Sequence, residues 1–211
     1  VGCAAAGLAV NRFDRTQPVP SHLMYALDAD TGEARWLSES RRAVGWTAQY
    51  VGGEPAPVTD LLPALGDERV LSGPAEPAAL PPAAVTVRPE TVAEAQRTVR
   101  LLVTPARGGR LITLHAARET EVVAMRAAGR EVPLAGPGDG TWGSGFVFHA
   151  PPPEGVEVTL TLRGTGPVRL RVMEATDGFD RVPGFRPRPD DVGIAGSHSS
   201  DMLAVARTWT L

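Results

Sequence analysis

From Val156 to Arg163 the chain reads "VEVTLTLR", with Val156, Val158, Leu160 and Leu162 alternating with Glu157, Thr159, Thr161 and Arg163. No helix can use this pattern, because a period of two puts the apolar set on both sides of a helix but on one face of a strand. Val168, Leu170 and Val172 repeat it against Arg169 and Arg171. One face goes to a core and the other to water, the habit of antiparallel sheets. Further strands are expected at Arg97–Pro105, Gly109–Ala116, Thr120–Val132, Ser144–Ala150 and Met202–Leu211. Turn-forming stretches ("RGG", "AAGRE", "GPGDG", "PPPEG", "RGTG", "SHSS") punctuate the runs at the spacing of a sandwich. Gly164-Thr165-Gly166 and the residues around Gly129 read as hairpin turns. The expected fold is all-β, an antiparallel β-sandwich of jelly-roll-like form.

The N-terminal third is organised differently. Tyr25–Asp28 and Glu33–Leu37 flank "ADTG" as a hairpin, and Trp46–Val51 is a short amphipathic piece. Between Gly52 and Val85 the density of Pro and Gly argues against long helices and central strands. This stretch reads as an extended segment crossing the sandwich, anchored by Leu61, Leu62, Leu65, Val70 and Leu71; a flexible linker is the other reading. The expected organisation is a linker or the end of a membrane helix over residues 1–12, then a single β-sandwich domain over residues 13–211. Within it, residues 13–82 supply the hairpin and the Pro-rich crossing, and residues 83–211 the main strands.

With 211 residues and a net charge of -3, the chain has no basic excess for nucleic acid. All 21 basic side chains are Arg, and they are scattered. The single cysteine, Cys3, excludes an internal disulfide and a cysteine–histidine metal set. The apolar start "VGCAAAGLAV" is short of the about 20 residues that cross a bilayer. It reads as the tail of a membrane helix, or as a lipoprotein cleavage site with Cys3 lipidated.

Several patterns resemble chemistry. In "YALDADTGEARW" (Tyr25–Trp36), Asp28 and Asp30 fall at the first and third positions of a calcium loop, with Glu39 at the twelfth. The sixth position, which needs Gly, is Glu33, and the flanks are strand-like. A propeller blade would need the motif repeated, and it occurs once. The remaining reading is a tight turn, with Asp oxygens on nearby N–H groups and Gly32 at positive φ. His22, His115, His149 and His198 show no metal spacing. A serine hydrolase could be assembled only from Ser144 or Ser199 with His149 or His198, and no G-x-S-x-G elbow is present. The loop Ala175–Asp191, with four Asp and three Arg, reads as self-paired over Phe179 and Phe185. No catalytic, cofactor-binding or metal residue is assigned, and no binding residue is identified.

The order "PVPSHLMYALDADTGEARWLS", "GWTAQYVG", "RTVRLLVTPARGGRLITLHA", "VVAMRAAGREVP", "FVFHAPPPEGVEVTLTL", "GPVRLRVMEATDGFDRVPGFRPRP", "SSDMLAVARTWTL" resembles the C-terminal region of actinobacterial membrane-bound M28-family metallopeptidases. In that family a zinc aminopeptidase-like domain precedes several membrane helices and a soluble extracytoplasmic tail. The zinc ligands belong to the N-terminal domain, and no segment here matches them. The resemblance implies a non-enzymatic accessory domain on the extracytoplasmic side, tethered to the membrane at its N-terminal side. Its partner would be the catalytic domain of its own parent chain. A carbohydrate-binding β-sandwich module is the alternative, and it requires exposed aromatics.

Overall fold

The computed structural model describes residues 13–43, 45–93, 96–136 and 140–211. The expected linker over residues 1–12, with Cys3, lies outside them. Among the described residues the fold is all-β. Its strands are β1 (Val19–Ser21), β2 (Met24–Asp28), β3 (Ala34–Ser38), β4 (Gly52–Pro57), β5 (Arg69–Ala75), β6 (Ala84–Ala93), β7 (Gln96–Thr104), β8 (Leu111–Ala117), β9 (Val122–Ala127), β10 (Arg130–Glu131), β11 (Trp142–His149), β12 (Val156–Arg163), β13 (Arg169–Asp177), β14 (Val192–Ile194) and β15 (Met202–Thr210). A five-stranded sheet has the order β10-β9-β12-β7-β6, and an eight-stranded sheet the order β11-β8-β13-β15-β2-β3-β5-β4; β1 and β14 form a small parallel pair. Apart from that pair and β15 with β2, neighbours are antiparallel.

The alternating faces build the core. Val99, Leu101, Val103, Met125, Val158 and Leu160 of the short sheet meet Ile112, Leu114, Leu170 and Val172 of the long one. This is a sandwich over half of the long sheet, and β7, β8, β9, β11, β12 and β13 cross between the two sheets as they follow one another, apart from the β9–β10 hairpin, in jelly-roll fashion. The same face of the long sheet continues under β15, β2, β3 and β5, where rings and loops cover it instead. The opposite face carries Met24, Ala26, Leu37, Met173 and Ala204, with Leu61, Leu62 and Leu65 laid across it.

Three expectations change. Gly164-Thr165-Gly166 is not a hairpin turn, because β12 and β13 belong to different sheets; alternation marks a half-buried strand and not its partner. The turn at Gly129 is a hairpin, with Ala128 and Gly129 both at positive φ (47° and 76°), as a two-residue turn demands. Second, Ala84–Ala93 is a strand although Pro89 interrupts it. It lies at the sheet edge, and its register slips between Arg88 and Thr91, so no ladder bond is asked of the missing N–H. Third, the Pro-rich stretch contains β4 and β5, and β5 is internal. Pro74 pairs only with Arg35, since β4 reaches no further along β5 than Ser72. Leu71 faces the aromatic side, away from Val70.

Candidate functional site

Ser199 does meet a histidine, but it is His22, 177 residues away. His22 follows β1, Glu39 follows β3, and Ser197 and Ser199 sit in the turn before β15. The parallel pairing of β15 with β2 and the antiparallel pairing of β2 with β3 bring the three segments to one end of the sheet. His22 Nε2 is 2.9 Å from Ser199 Oγ and 3.3 Å from Glu39 Oε1. The Ser199 hydroxyl donates to Glu39 Oε1. Ser197 Oγ lies 3.0 Å from Glu39 Oε2 and 2.8 Å from Ser199 Oγ.

The direction of the protons decides what this group can do. The backbone N–H of Glu39 donates to His22 Nδ1 at 3.1 Å. In the neutral ring the proton is therefore on Nε2, which donates toward Ser199 and Glu39. A general base needs a free lone pair facing the nucleophile; here that nitrogen is protonated, and the serine proton points to a carboxylate. Ser199 is also fully buried. Burial pushes the His22 pKa down against the pull of the Glu39 and Asp201 carboxylates, which keeps the ring neutral. The arrangement ties three chain segments together.

A second polar layer adjoins it. The Arg188 guanidinium pairs with both oxygens of Asp201. Its Nε donates to Ser21 Oγ at 3.0 Å, and the group lies 4.5 Å from the centre of the Trp46 ring. The charges of Ala175–Asp191 thus pair outward rather than among themselves: Asp177 with Arg110, Arg188 with Asp201, Asp190 with Arg15. Phe179 and Phe185 do lie beneath this loop.

The Asp28/Asp30 turn holds a cation, and that cation is an arginine. Asp28 Oδ1 accepts the Asp30 N–H at 2.9 Å, and Gly32 has φ 77°, the tight turn expected. One oxygen of each carboxylate pairs with Arg171, whose Nη2 is 3.0 Å from Asp28 Oδ2 and whose Nη1 is 2.9 Å from Asp30 Oδ2, and Asp30 Oδ1 lies 4.0 Å from Arg207 Nε. Glu39, the twelfth position of a calcium loop, is occupied in the Ser199 cluster instead. Among the described residues no group of three or more His, Cys, Asp or Glu could hold a metal ion.

The other named residues stay apart. Ser144 Oγ accepts the Ala135 N–H at 3.0 Å, and His149 and His198 are exposed. Trp36, Trp46 and Tyr50 are buried in a ring cluster with Tyr25, Phe179 and Phe185, which removes them as sugar-stacking platforms. Trp142 and Trp209 are half-buried, each beside an arginine (Arg169 and Arg207).

Comparison with known proteins finds no matching family model, no matching curated protein and no matching solved structure. One further surface has the character of a contact. Two adjoining grooves, of about 460 and 620 Å³, run beside β9 toward β11 and share Val123 and Leu134. These two side chains are 38% and 41% exposed. Sequence reasoning had no signal for it, because Val123 sits in an apolar run between Val122 and Met125, which pack on the core.

Proposed function

We propose that this chain is a non-catalytic interaction domain, the extracytoplasmic accessory part of a membrane-bound M28-type metallopeptidase. The non-catalytic half rests on one observation: Ser199 and His22 are buried, and the protons of the Ser199–His22–Glu39 set run the wrong way for a nucleophile. The M28 half rests on the motif order alone. Among the described residues no helix is long and apolar enough to cross a membrane.

The contact we assign to the catalytic domain is the groove around Val123 and Leu134. Val123 and Leu134 are exposed where the two grooves meet, and adjoining rather than scattered apolar exposure is what marks a contact surface. The test is size-exclusion titration of this chain against the parent's catalytic domain, then the same with Val123→Glu and Leu134→Glu. A stable complex with the native chain, weakened by both variants, is the expected result. No complex, together with unchanged peptidase activity and stability when the domain is deleted, would overturn the reading.

A further inference from the structure

The outer face of the five-stranded sheet carries one row of side chains at a common register: Glu131, Arg126, Thr159, Arg100 and Arg88, one from each strand. Inward neighbours fix the direction of this row. Met125, Val158, Leu160, Val99 and Leu101 are core residues, so the positions between them point to solvent. Arg126 is neutralised by Glu131 at 3.1 Å. Arg88 and Arg100 are exposed and directly opposite each other on β6 and β7.

Like charges directly opposite on adjacent strands destabilise a sheet. Among the described residues no carboxylate pairs with either of them. Glu90, two residues from Arg88, is held by Arg97 through bonds of 2.8 and 2.7 Å. Glu157 stands opposite Leu102, one row away. The ion pairs of this sheet among the described residues are Arg97–Glu90, Arg126–Glu131 and Arg163–Glu121, and none includes Arg88 or Arg100. The hydroxyls of Thr86, Thr98 and Thr159 flank the pair on the same face.

We infer that Arg88 and Arg100 form a seat for a tetrahedral oxyanion of the phosphate type. Two guanidinium forks on one face present at least four N–H donors, more than the two oxygens of one carboxylate can take in parallel bonds. A phosphoryl group has enough acceptor oxygens and the charge to offset both arginines. The threonine hydroxyls add neutral donors at the rim. The ligand class is a phosphate ester, supplied either by a soluble molecule or by a lipid headgroup. This site borders the Val123/Leu134 groove at Thr159, but neither arginine lines that groove, and the site stands or falls without it.

The experiment is calorimetric titration of the folded chain with inorganic phosphate, beside thermal melts in phosphate and in sodium chloride of equal ionic strength. Arg88→Gln and Arg100→Gln are compared with Arg163→Gln, which removes an arginine paired with Glu121 at the same sheet. Phosphate is expected to bind and to raise the melting temperature more than chloride does. Affinity should fall about tenfold or more in Arg88→Gln and in Arg100→Gln, the scale of a lost charge-assisted bond, and hold in Arg163→Gln. Without phosphate, the first two variants should melt no lower than the native chain. Co-sedimentation with phosphatidylglycerol vesicles but not phosphatidylcholine vesicles, lost in Arg100→Gln, would identify the headgroup as the source. Phosphate binding without vesicle binding would identify a soluble ester. Equal effects of chloride and phosphate, or unchanged affinity in both arginine variants, overturn the site.

Discussion

Arg171 reaches across 141 residues to donate to Asp30 at 2.9 Å. Its side chain is 3% exposed, against 33% for Asp30 and 21% for Asp28. The guanidinium is the desolvated partner, and the carboxylates at the turn compensate it, together with Thr208 Oγ1 at 3.1 Å.

Removing both carboxylates should therefore cost more than removing the arginine. Asp28→Ala with Asp30→Ala leaves a buried charge unpaired, at a cost of about 3–5 kcal/mol. Arg171→Met leaves two partly hydrated carboxylates and a similar volume, and should cost less. Urea unfolding of the two variants checks the order. Calcium should leave the native melting temperature unchanged, because a guanidinium already fills the turn.

Ser199→Ala should cost stability and no catalysis. Glu39 and the His22 Nε2–H would each lose a buried partner, worth about 1–3 kcal/mol. A fluorophosphonate probe should not label the native chain. Labelling that disappears in Ser199→Ala would show that the Ser199 proton does not point to Glu39.

Stability should fall as pH drops below neutrality. Burial lowers the pKa of His22, and lowers that of His115 from 6.5 to about 4. Gly145, paired with His115, lies against its ring; a Cβ there would sit 2.3 Å from ring Cδ2. In each case the folded value lies below the unfolded one, so the unfolded chain binds more protons. Stability therefore rises with pH across this window, and it is fully present above about 6.5. For His115 the loss accumulates down to about 4. Melts between pH 7.5 and 4.5 should show this slope, and His115→Leu should flatten part of it. Acidic groups held by hydrogen bonds, such as Glu90, are lost at lower pH.

Trp36 joins Tyr25, Tyr50, Phe179 and Phe185, with ring centres 4.8 to 6.3 Å away. Trp36→Ala should cost about 3–5 kcal/mol, and Trp36→Phe distinctly less. Gly73→Ala tests the same wall from behind: a Cβ there would stand 2.0 Å from the Tyr50 carbonyl oxygen, so the strand or Tyr50 must shift. Gly52→Ala, with open space around it, should be far milder. Denaturant midpoints of the three rank them.

What the sequence determined by itself was local. The alternation at Val156–Arg163 and at Val168–Val172 names strands and their buried faces, because the period of a strand is carried by neighbouring residues. The turn at Asp28–Gly32 was legible for the same reason, since its bonds stay within a few residues. The strand at Ala84–Ala93 was hidden by Pro89, which is acceptable only at an edge; edge position is a property of the finished sheet. The tertiary structure alone decided partners. It placed β12 and β13 in different sheets, gave Ser199 the ring of His22 rather than the adjacent His198, and put Arg171 under the Asp28–Asp30 turn. It also set Arg88 opposite Arg100. Those choices depend on which apolar faces can be buried together, and that is settled only when the whole chain is packed.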